Sequence, residues 1–288
     1  SVFQVVSRAS PHEIYILSGQ SSVGLSFQQP VETLESIIVG TLNILECIRL
    51  LDRPIRFYNA GSGECFGDTG GFAANEQTPF HPRSPYAVAK AAAHWEVANY
   101  RESYAIYACS GILFNHEGTK RGEEFVTRKI SKGVARIYHA IKNNQSFSPI
   151  ELGNLDAQRD WSDSEDFVDG VWKIMNQEKP KDYVLSSNET HTIREFINKS
   201  FLCAGIDGVW HGSGQQEEMS VSTEYAIKNE IQSSILVKIN PKFYRPAEVE
   251  LLLGDSTPAR KELGWKPKIS FDNLVERMVK YDIEIFKI

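Results

Sequence analysis

Short apolar runs alternate along the first third of the chain with longer stretches whose apolar positions recur at helical spacing. No other feature restricts the fold as strongly. Residues 13–17 (EIYIL) form an apolar run that ends at Ser18 and Gly19, as a buried parallel strand ends. Over 31–51, Leu34, Ile37, Ile38, Leu42, Leu45, Ile48 and Leu51 keep a helical period. Residues 55–60 (IRFYNA) predict a second strand, 85–103 a helix, and 104–114 (YAIYACSGILF) a third strand. Strands alternating with helices imply βαβ units, hence an α/β fold with a doubly wound parallel sheet covered on both faces. Such sheets hold ligands at the C-terminal ends of their strands, here at residues 18–21, 61–64 and 115–116.

After residue 115 the alternation loosens. A basic stretch (TKRGEEFVTRKI) precedes a predicted helix and an extended segment at 149–153. Residues 205–235 are polar, contain glycines and show little periodicity. A short helix around 259–263 stops before Pro267, and helical patterning resumes near 271. The acidic run 160–169 (DWSDSEDFVD) reads as a solvated helix face with Trp161 and Phe167 buried. The predicted division is a sheet domain over 1–115, with 149–185 returning to it, and a smaller domain from 116–148 and 186–288. With 288 residues the chain can bury a substantial core. A net charge of −6 argues against a nucleic-acid partner. The four cysteines, Cys47, Cys65, Cys109 and Cys203, have no metal-ligand spacing, so reduced thiols, a cytoplasmic setting and no metal are expected. The sequence has no 18-residue apolar run, so no membrane partner is expected. The first ten residues read as the middle of an amphipathic helix.

The densest chemistry lies in Ser84-Pro85-Tyr86-Ala87-Val88-Ala89-Lys90. Ser84 and Pro85 suit a helix N-cap and first turn, which puts Tyr86 and Lys90 one turn apart on one face. An ammonium beside a phenol favours the phenolate, so Tyr86 could exchange a hydroxyl proton near neutral pH. Alone, this spacing also fits a surface helix. Just after the second strand stands Gly61-Ser62-Gly63-Glu64-Cys65-Phe66-Gly67. Its glycine spacing is not that of a dinucleotide-binding turn. Ser62 and Glu64 instead stand at a strand end facing the Tyr–Lys helix, where a hydroxyl can hold a sugar oxygen and a carboxylate can exchange a proton with carbon. Taken singly, Glu64 could equally be a solvated loop carboxylate.

A strand, then S-x-E, then Y-x-x-x-K resembles the extended short-chain dehydrogenase/reductase family, and within it the GDP-mannose 4,6-dehydratases. The finer matches are SPYAVAK (84–90), NYRESY (99–104), GILFNHE (111–117), RGEEFVTRKI (121–130), GNLDAQRDW (153–161), YRPAEV (244–249) and LGWKP (263–267). They run through nearly the whole chain. The resemblance implies a Rossmann-type cofactor domain, NADP as cofactor, a GDP-linked sugar as substrate and a homo-oligomer. It implies that Tyr86, helped by Lys90 and Ser62, takes the proton of the sugar 4-hydroxyl as hydride passes to NADP, and that Glu64 handles the C5 proton and the loss of water from C6. Leu17, Ser18, Gly19, Gln20, Ser21, Lys90, His116 and Arg121 would line the cofactor, with Arg121 at the 2′-phosphate. Asn115, Arg159, Arg245 and Glu248 would hold the GDP moiety. Two alternatives stand beside this reading: a GDP-manno-heptose 4,6-dehydratase, and a silent nucleotide-sugar-binding protein.

The chain departs from the family pattern in four places. Gly61-Ser62-Gly63 replaces Ser-Thr-Ser, Ser22 replaces a His, and Glu32 replaces a Tyr. No G-x-x-G-x-x-G turn occurs, so the family's first strands and helices, on the order of 60–70 residues by the size of βαβ units, are expected to lie outside this sequence.

Overall fold

The computed structural model describes residues 1–231, 235–244, 247 and 249–286. Along the chain the strands are β1 (Glu13–Ile16), β2 (Arg56–Ala60), β3 (Ala108–Leu113), β4 (Asn115–Glu117), β5 (Ile150–Leu152), β6 (Gln158–Arg159), β7 (Trp161–Asp163), β8 (Tyr183–Leu185), β9 (His191–Thr192), β10 (Gly208–His211), β11 (Glu218–Val221), β12 (Ile235–Ile239) and β13 (Leu251–Leu252). The longer helices are α1 (Val2–Ala9), α2 (Gly40–Leu51), α3 (Pro85–Tyr104), α4 (Val126–Lys142), α5 (Ser164–Met175), α6 (Ile193–Cys203) and α7 (Phe271–Ile285).

The first sheet has the order β1-β2-β3-β8 and is parallel throughout. On one face Val6, Leu45, Ile48 and Val97 from α1, α2 and α3 pack on Ile16, Phe57 and Ala108. On the other, Phe167, Ile174 and Met175 of α5 pack with Tyr58, Cys109, Leu185 and Trp265. Helices on both faces explain why β3 is buried at every position, since neither face meets water. The helical stretch expected over 31–51 runs through Pro30–Leu34, a π-helical turn at Glu35–Val39, and then α2. The third strand starts later than its apolar run, because Tyr104 completes α3 and Ala105 turns the chain at φ 54°. In α1, Ser1 and Gln4 form a reciprocal capping box at the first turn.

A second sheet, β10-β11-β12-β5, is antiparallel except for the β12–β5 pair. With α4, α6 and α7 it encloses the largest apolar cluster, including Ile137, Leu152, Phe196, Phe201, Leu236, Leu274 and Met278. Two expectations fail here. Residues 205–235 are not irregular: they supply β10 and β11, strands of only four residues each whose connection turns at Gly212 and Gly214, both at positive φ. The segment 149–185 does not return whole to the first sheet. Its start, β5, pairs with β12, while its end lies just beyond Tyr183, where β8 completes the first sheet. Two smaller sheets, β13-β6-β9 and β4-β7, lie along the chain between these bodies.

The acidic run is also not a solvated face. Asp160, Asp163 and Asp166 are buried. Asp163 caps α5 by accepting from the Glu165 amide at 2.9 Å, and Asp166 accepts from the amides of Lys268 and Ile269 at 2.9 and 3.0 Å. A carboxylate survives burial when backbone donors replace its water.

Candidate active site

The site begins where β2 ends. The Gly61 amide donates to the Gly111 carbonyl at 2.8 Å, which holds the chain so close to β3 that a Cβ on Gly61 would stand 2.9 Å from that oxygen. Ser62 follows in extended conformation and caps a single 3-10 turn, Gly63–Phe66, its hydroxyl accepting from the Glu64 amide at 3.3 Å. A Cβ on Gly63 would meet the Phe114 ring at 3.1 Å. The glycines that replace the family's serines thus let the turn lie directly on β3 and its last aromatic ring.

The opposite wall is α3. Ser84 accepts from the Ala87 amide at 3.0 Å, Pro85 occupies the first turn, and the alanine-rich body has high helix propensity. This presents Tyr86 and Lys90 to the turn at 62–64. The Ser62 hydroxyl stands close enough to Tyr86 to favour its phenolate. Lys90 Nζ donates to the Ala60 carbonyl at 2.8 Å and lies 5.9 Å from the Tyr86 ring centre. Ser62, Glu64, Tyr86 and Lys90 are all buried, so the four predicted catalytic residues form one enclosed cluster.

The electrostatics differ from the simple expectation of an ammonium that lowers the phenol. Burial dominates and pushes the Tyr86 phenol up, while the Ser62 hydroxyl and the charge of Arg121 pull it back. Burial also drives the Lys90 ammonium down to about 8. Lys90 is turned onto a strand-end carbonyl, and both side chains pay a desolvation cost because few polar partners surround them.

Around this cluster the predicted cofactor-side residues fall in two groups. Leu17, Ser18, Gly19, Gln20 and Ser21 leave the C-terminal end of β1, next to the end of β2. Gly19 has φ +114°, and a Cβ there would stand 2.6 Å from Ile37. Ile37 in turn packs on Tyr86, Ala89 and Ala93, so this segment shares a wall with the catalytic helix. Gln20 is anchored through its amide to Thr33 at 3.1 Å and to the Ser22 carbonyl at 2.9 Å. His116, in β4, bonds the Phe114 carbonyl through Nδ1 at 2.9 Å and stacks on Phe167. Burial pulls its pKa down, and the charges of Arg121 and Lys90 act in the same direction. Arg121 pairs with the buried Glu117 at 3.1 Å and lies 3.5 Å from the Phe125 ring centre. Glu117, which accepts from Thr127 at 2.5 Å, was not singled out from the sequence, although its spacing of four from Arg121 is visible there.

The substrate-side residues are less concentrated. Asn115 opens β4 and pairs in register with Trp161. Arg159 is buried in β6, in a different sheet from Ser62, and donates to the Gln158 carbonyl at 2.9 Å. Arg245 and Glu248 lie outside the described residues. Two further features were not foreseen. Asp160 sits beside Arg159 in a dense hydrogen-bond network. A cavity of about 400 Å³ is lined by Lys129, Lys132 and Arg136 of α4 together with Glu123, Glu151 and Phe243. Lys129 Nζ stands 3.5 Å from the Phe243 ring centre. The basic residues were visible in the sequence, but their convergence on Phe243, more than a hundred residues away, was not. Among the described residues no group of three His, Cys, Asp or Glu side chains could hold a metal, and no helix is long and apolar enough to cross a membrane.

Comparison with known proteins shows the family of the chain. The family model described as GDP-mannose 4,6 dehydratase matches residues 1–278. The GDP-mannose 4,6 dehydratase of Drosophila melanogaster is 45% identical over 100% of this chain and 70% of its own length. The Vibrio cholerae GDP-mannose 4,6-dehydratase is 43% identical over 98% of this chain and 75% of its own, and the human enzyme 41% over 99% and 73%. Among solved structures, RMD from Pseudomonas aeruginosa complexed with NADPH superposes with a TM-score of 0.78 at 22% identity, covering 96% of this chain and 82% of that one. The Thermus thermophilus UDP-glucose 4-epimerase complex with NAD also reaches 0.78, at 21% identity over 98% and 80%. The chain belongs to the GDP-mannose 4,6-dehydratase family.

Proposed function

We propose that the protein is a hydro-lyase that converts GDP-mannose to GDP-4-keto-6-deoxymannose, with Ser62, Glu64, Tyr86 and Lys90 as its catalytic residues. The observation that carries this reading is the enclosed cluster itself, in which a carboxylate stands beside the hydroxyl–phenol pair. A hydroxyl, a phenol and a lysine suffice to oxidise an alcohol reversibly, but expelling water also needs a group that takes a proton from carbon and gives one to oxygen. Glu64 supplies it.

The residues at the strand ends fit a nicotinamide dinucleotide. Gly19 and Gly61 leave the backbone at the ends of β1 and β2 without Cβ atoms, and Arg121 is a guanidinium suited to a 2′-phosphate, which favours NADP. When bound, the cofactor supplies the hydride acceptor and donor that these side chains lack. The residues do the rest. Tyr86 removes the proton of the 4-hydroxyl, Ser62 holds that oxygen by a hydrogen bond, the charge of Arg121 favours the phenolate, and Lys90 holds the strand end beside them through the Ala60 carbonyl. Once C4 is a ketone the C5 proton is acidic. Glu64 removes it and delivers a proton to the C6 hydroxyl, which leaves as water. Burial of all four groups keeps bulk water from the intermediate.

At the other end of the substrate, Asn115, Arg159, Arg245 and Glu248 hold the GDP, and the cavity with Lys129, Arg136 and Phe243 adds cations and an aromatic ring suited to a nucleotide. The working form is a homo-oligomer in the cytoplasm. The test is a turnover assay of the purified protein with NADP and either GDP-mannose or GDP-manno-heptose. Formation of the 4-keto-6-deoxyhexose product is expected. Turnover of the heptose alone would replace the substrate in this proposal, and no turnover of either would favour a silent binder.

A further inference from the structure

The Asp160 carboxylate is fully buried, and among the described residues it accepts four hydrogen bonds. One oxygen accepts from the Ser187 amide and the Ser187 hydroxyl, both at 2.7 Å. The other accepts from the Asn188 amide at 3.1 Å and the Gly254 amide at 3.4 Å. The places from which these donors come matter more than their number. In the sheet β13-β6-β9, Arg159 pairs with Leu252 on one side and His191 on the other. Gly254 is the extension of β13, and Ser187 and Asn188 lead into β9. Asp160 therefore binds the chain segments that continue both strands flanking Arg159. Its own amide donates to the Leu252 carbonyl at 3.0 Å, closing the arrangement.

The same point is packed against the catalytic turn. A Cβ on Gly254 would stand 2.7 Å from the Phe114 ring and 2.5 Å from the Ser186 side chain, so no free space separates Gly254 from Phe114. Phe114 covers Gly63, between Ser62 and Glu64. Gly254 also bridges to Ala74, on the chain that leaves the catalytic turn. A close-packed path thus runs from Arg159 through Asp160, Gly254 and Phe114 to the turn that carries Glu64. Packed interiors transmit displacement because they have little room to absorb it.

We propose that Asp160 is a positioning residue: by tying together the segments that continue both strands flanking Arg159, it fixes the backbone that carries the Arg159 guanidinium, and with it the nucleotide end of the substrate, in register with the catalytic turn at 62–64. This rests on the reading of Arg159 as a contact of the GDP moiety. Asp160 touches no reacting atom. An asparagine in its place has nearly the same volume, but whichever way its amide points, its N–H₂ faces at least one backbone N–H, that of Ser187 on one side or those of Asn188 and Gly254 on the other.

The test is a double-mutant cycle on the purified protein, with GDP affinity measured by calorimetry and steady-state kinetics on GDP-mannose. Asp160→Asn is expected to weaken GDP roughly tenfold, the size of a coupling between interacting neighbours, and to raise KM more than it lowers kcat. In an Arg159→Ala background the same change should alter GDP affinity less than about twofold, since the residue it acts through is gone. Equal weakening in both backgrounds, or a fall in kcat with unchanged GDP affinity, would overturn the proposal and leave Asp160 a part of the fold only. Should Asp160→Asn not yield folded protein, Ser187→Ala removes one donor, keeps the carboxylate and runs through the same cycle with the same criteria. Wild-type protein that binds no GDP would sink the Arg159 reading itself, a result distinct from an additive cycle.

Discussion

Two buried polar clusters lie on either side of the Phe114 ring, and they are built on opposite terms. Around Asp160, four donors converge on one carboxylate from two segments of chain. Burial still lifts that carboxyl to about 6, so it stays ionised at neutral pH only because its donors are in place. Around Tyr86 the partners are few. The phenol has the Ser62 hydroxyl, and the Lys90 ammonium, with three protons to donate, makes one hydrogen bond among the described residues. Burial pushes both toward their neutral forms. A saturated network fixes geometry and has nothing left to offer a ligand. An unsaturated one costs stability and leaves its hydrogen-bonding capacity for what binds there.

That contrast breaks most visibly at Glu64. Glu64→Gln keeps the shape of the turn and removes the proton carrier. The expected result is a fall in kcat of about 100-fold or more, with KM for GDP-mannose nearly unchanged. Near-wild-type turnover would move Glu64 from the reactive cluster to the structural one.

Lys90 sharpens the comparison through stability. Its folded pKa lies near 8, below the 10.5 of a free lysine, so the charged form is disfavoured by folding. The unfolded chain then binds more protons between those values, and stability rises with pH across that window. The cost, on the order of 3 kcal/mol from the size of the shift, is fully present below about pH 8 and gone by about pH 10.5. Lys90→Met should therefore abolish turnover while raising the melting temperature at pH 7, and this advantage should shrink as the pH approaches 10. Thermal melts of both proteins at the two pH values decide it. A variant that is less stable at both pH values would show that the bond to Ala60 outweighs desolvation.

The smallest effect belongs to the saturated side. Gly254→Ala forces a methyl against Ser186 and Phe114, and overpacking of that kind costs about 1–3 kcal/mol. Denaturant titration should show the loss with little change in the dependence of turnover on Glu64. No loss of stability would mean that the path between the two clusters is looser than its contacts imply.

The legibility of the two clusters in the sequence follows the same division. Ser62, Glu64, Tyr86 and Lys90 could be read because local rules bring them together. A strand end delivers the first two, and a capped helix sets the last two one turn apart. Asp160 could not. Its donors are 27, 28 and 94 residues away, and in the sequence it stands in a run of acids that looks like any solvated helix face. The strands of 205–235 were hidden for a related reason: each is only four residues long, and their apolar positions make sense only against α4, α6 and α7.

The sequence by itself determined the alternating architecture, the helix that carries Tyr86 and Lys90, and the turn that carries Ser62 and Glu64, because each depends on interactions between residues close in the chain. Only the tertiary structure decided which carboxylates are buried, which strand segments belong to which sheet, and how strongly desolvation acts on Tyr86 and Lys90. Burial is a property of what packs around a residue, and for Asp160 and Asp166 the donors come from segments up to 94 and 103 residues distant.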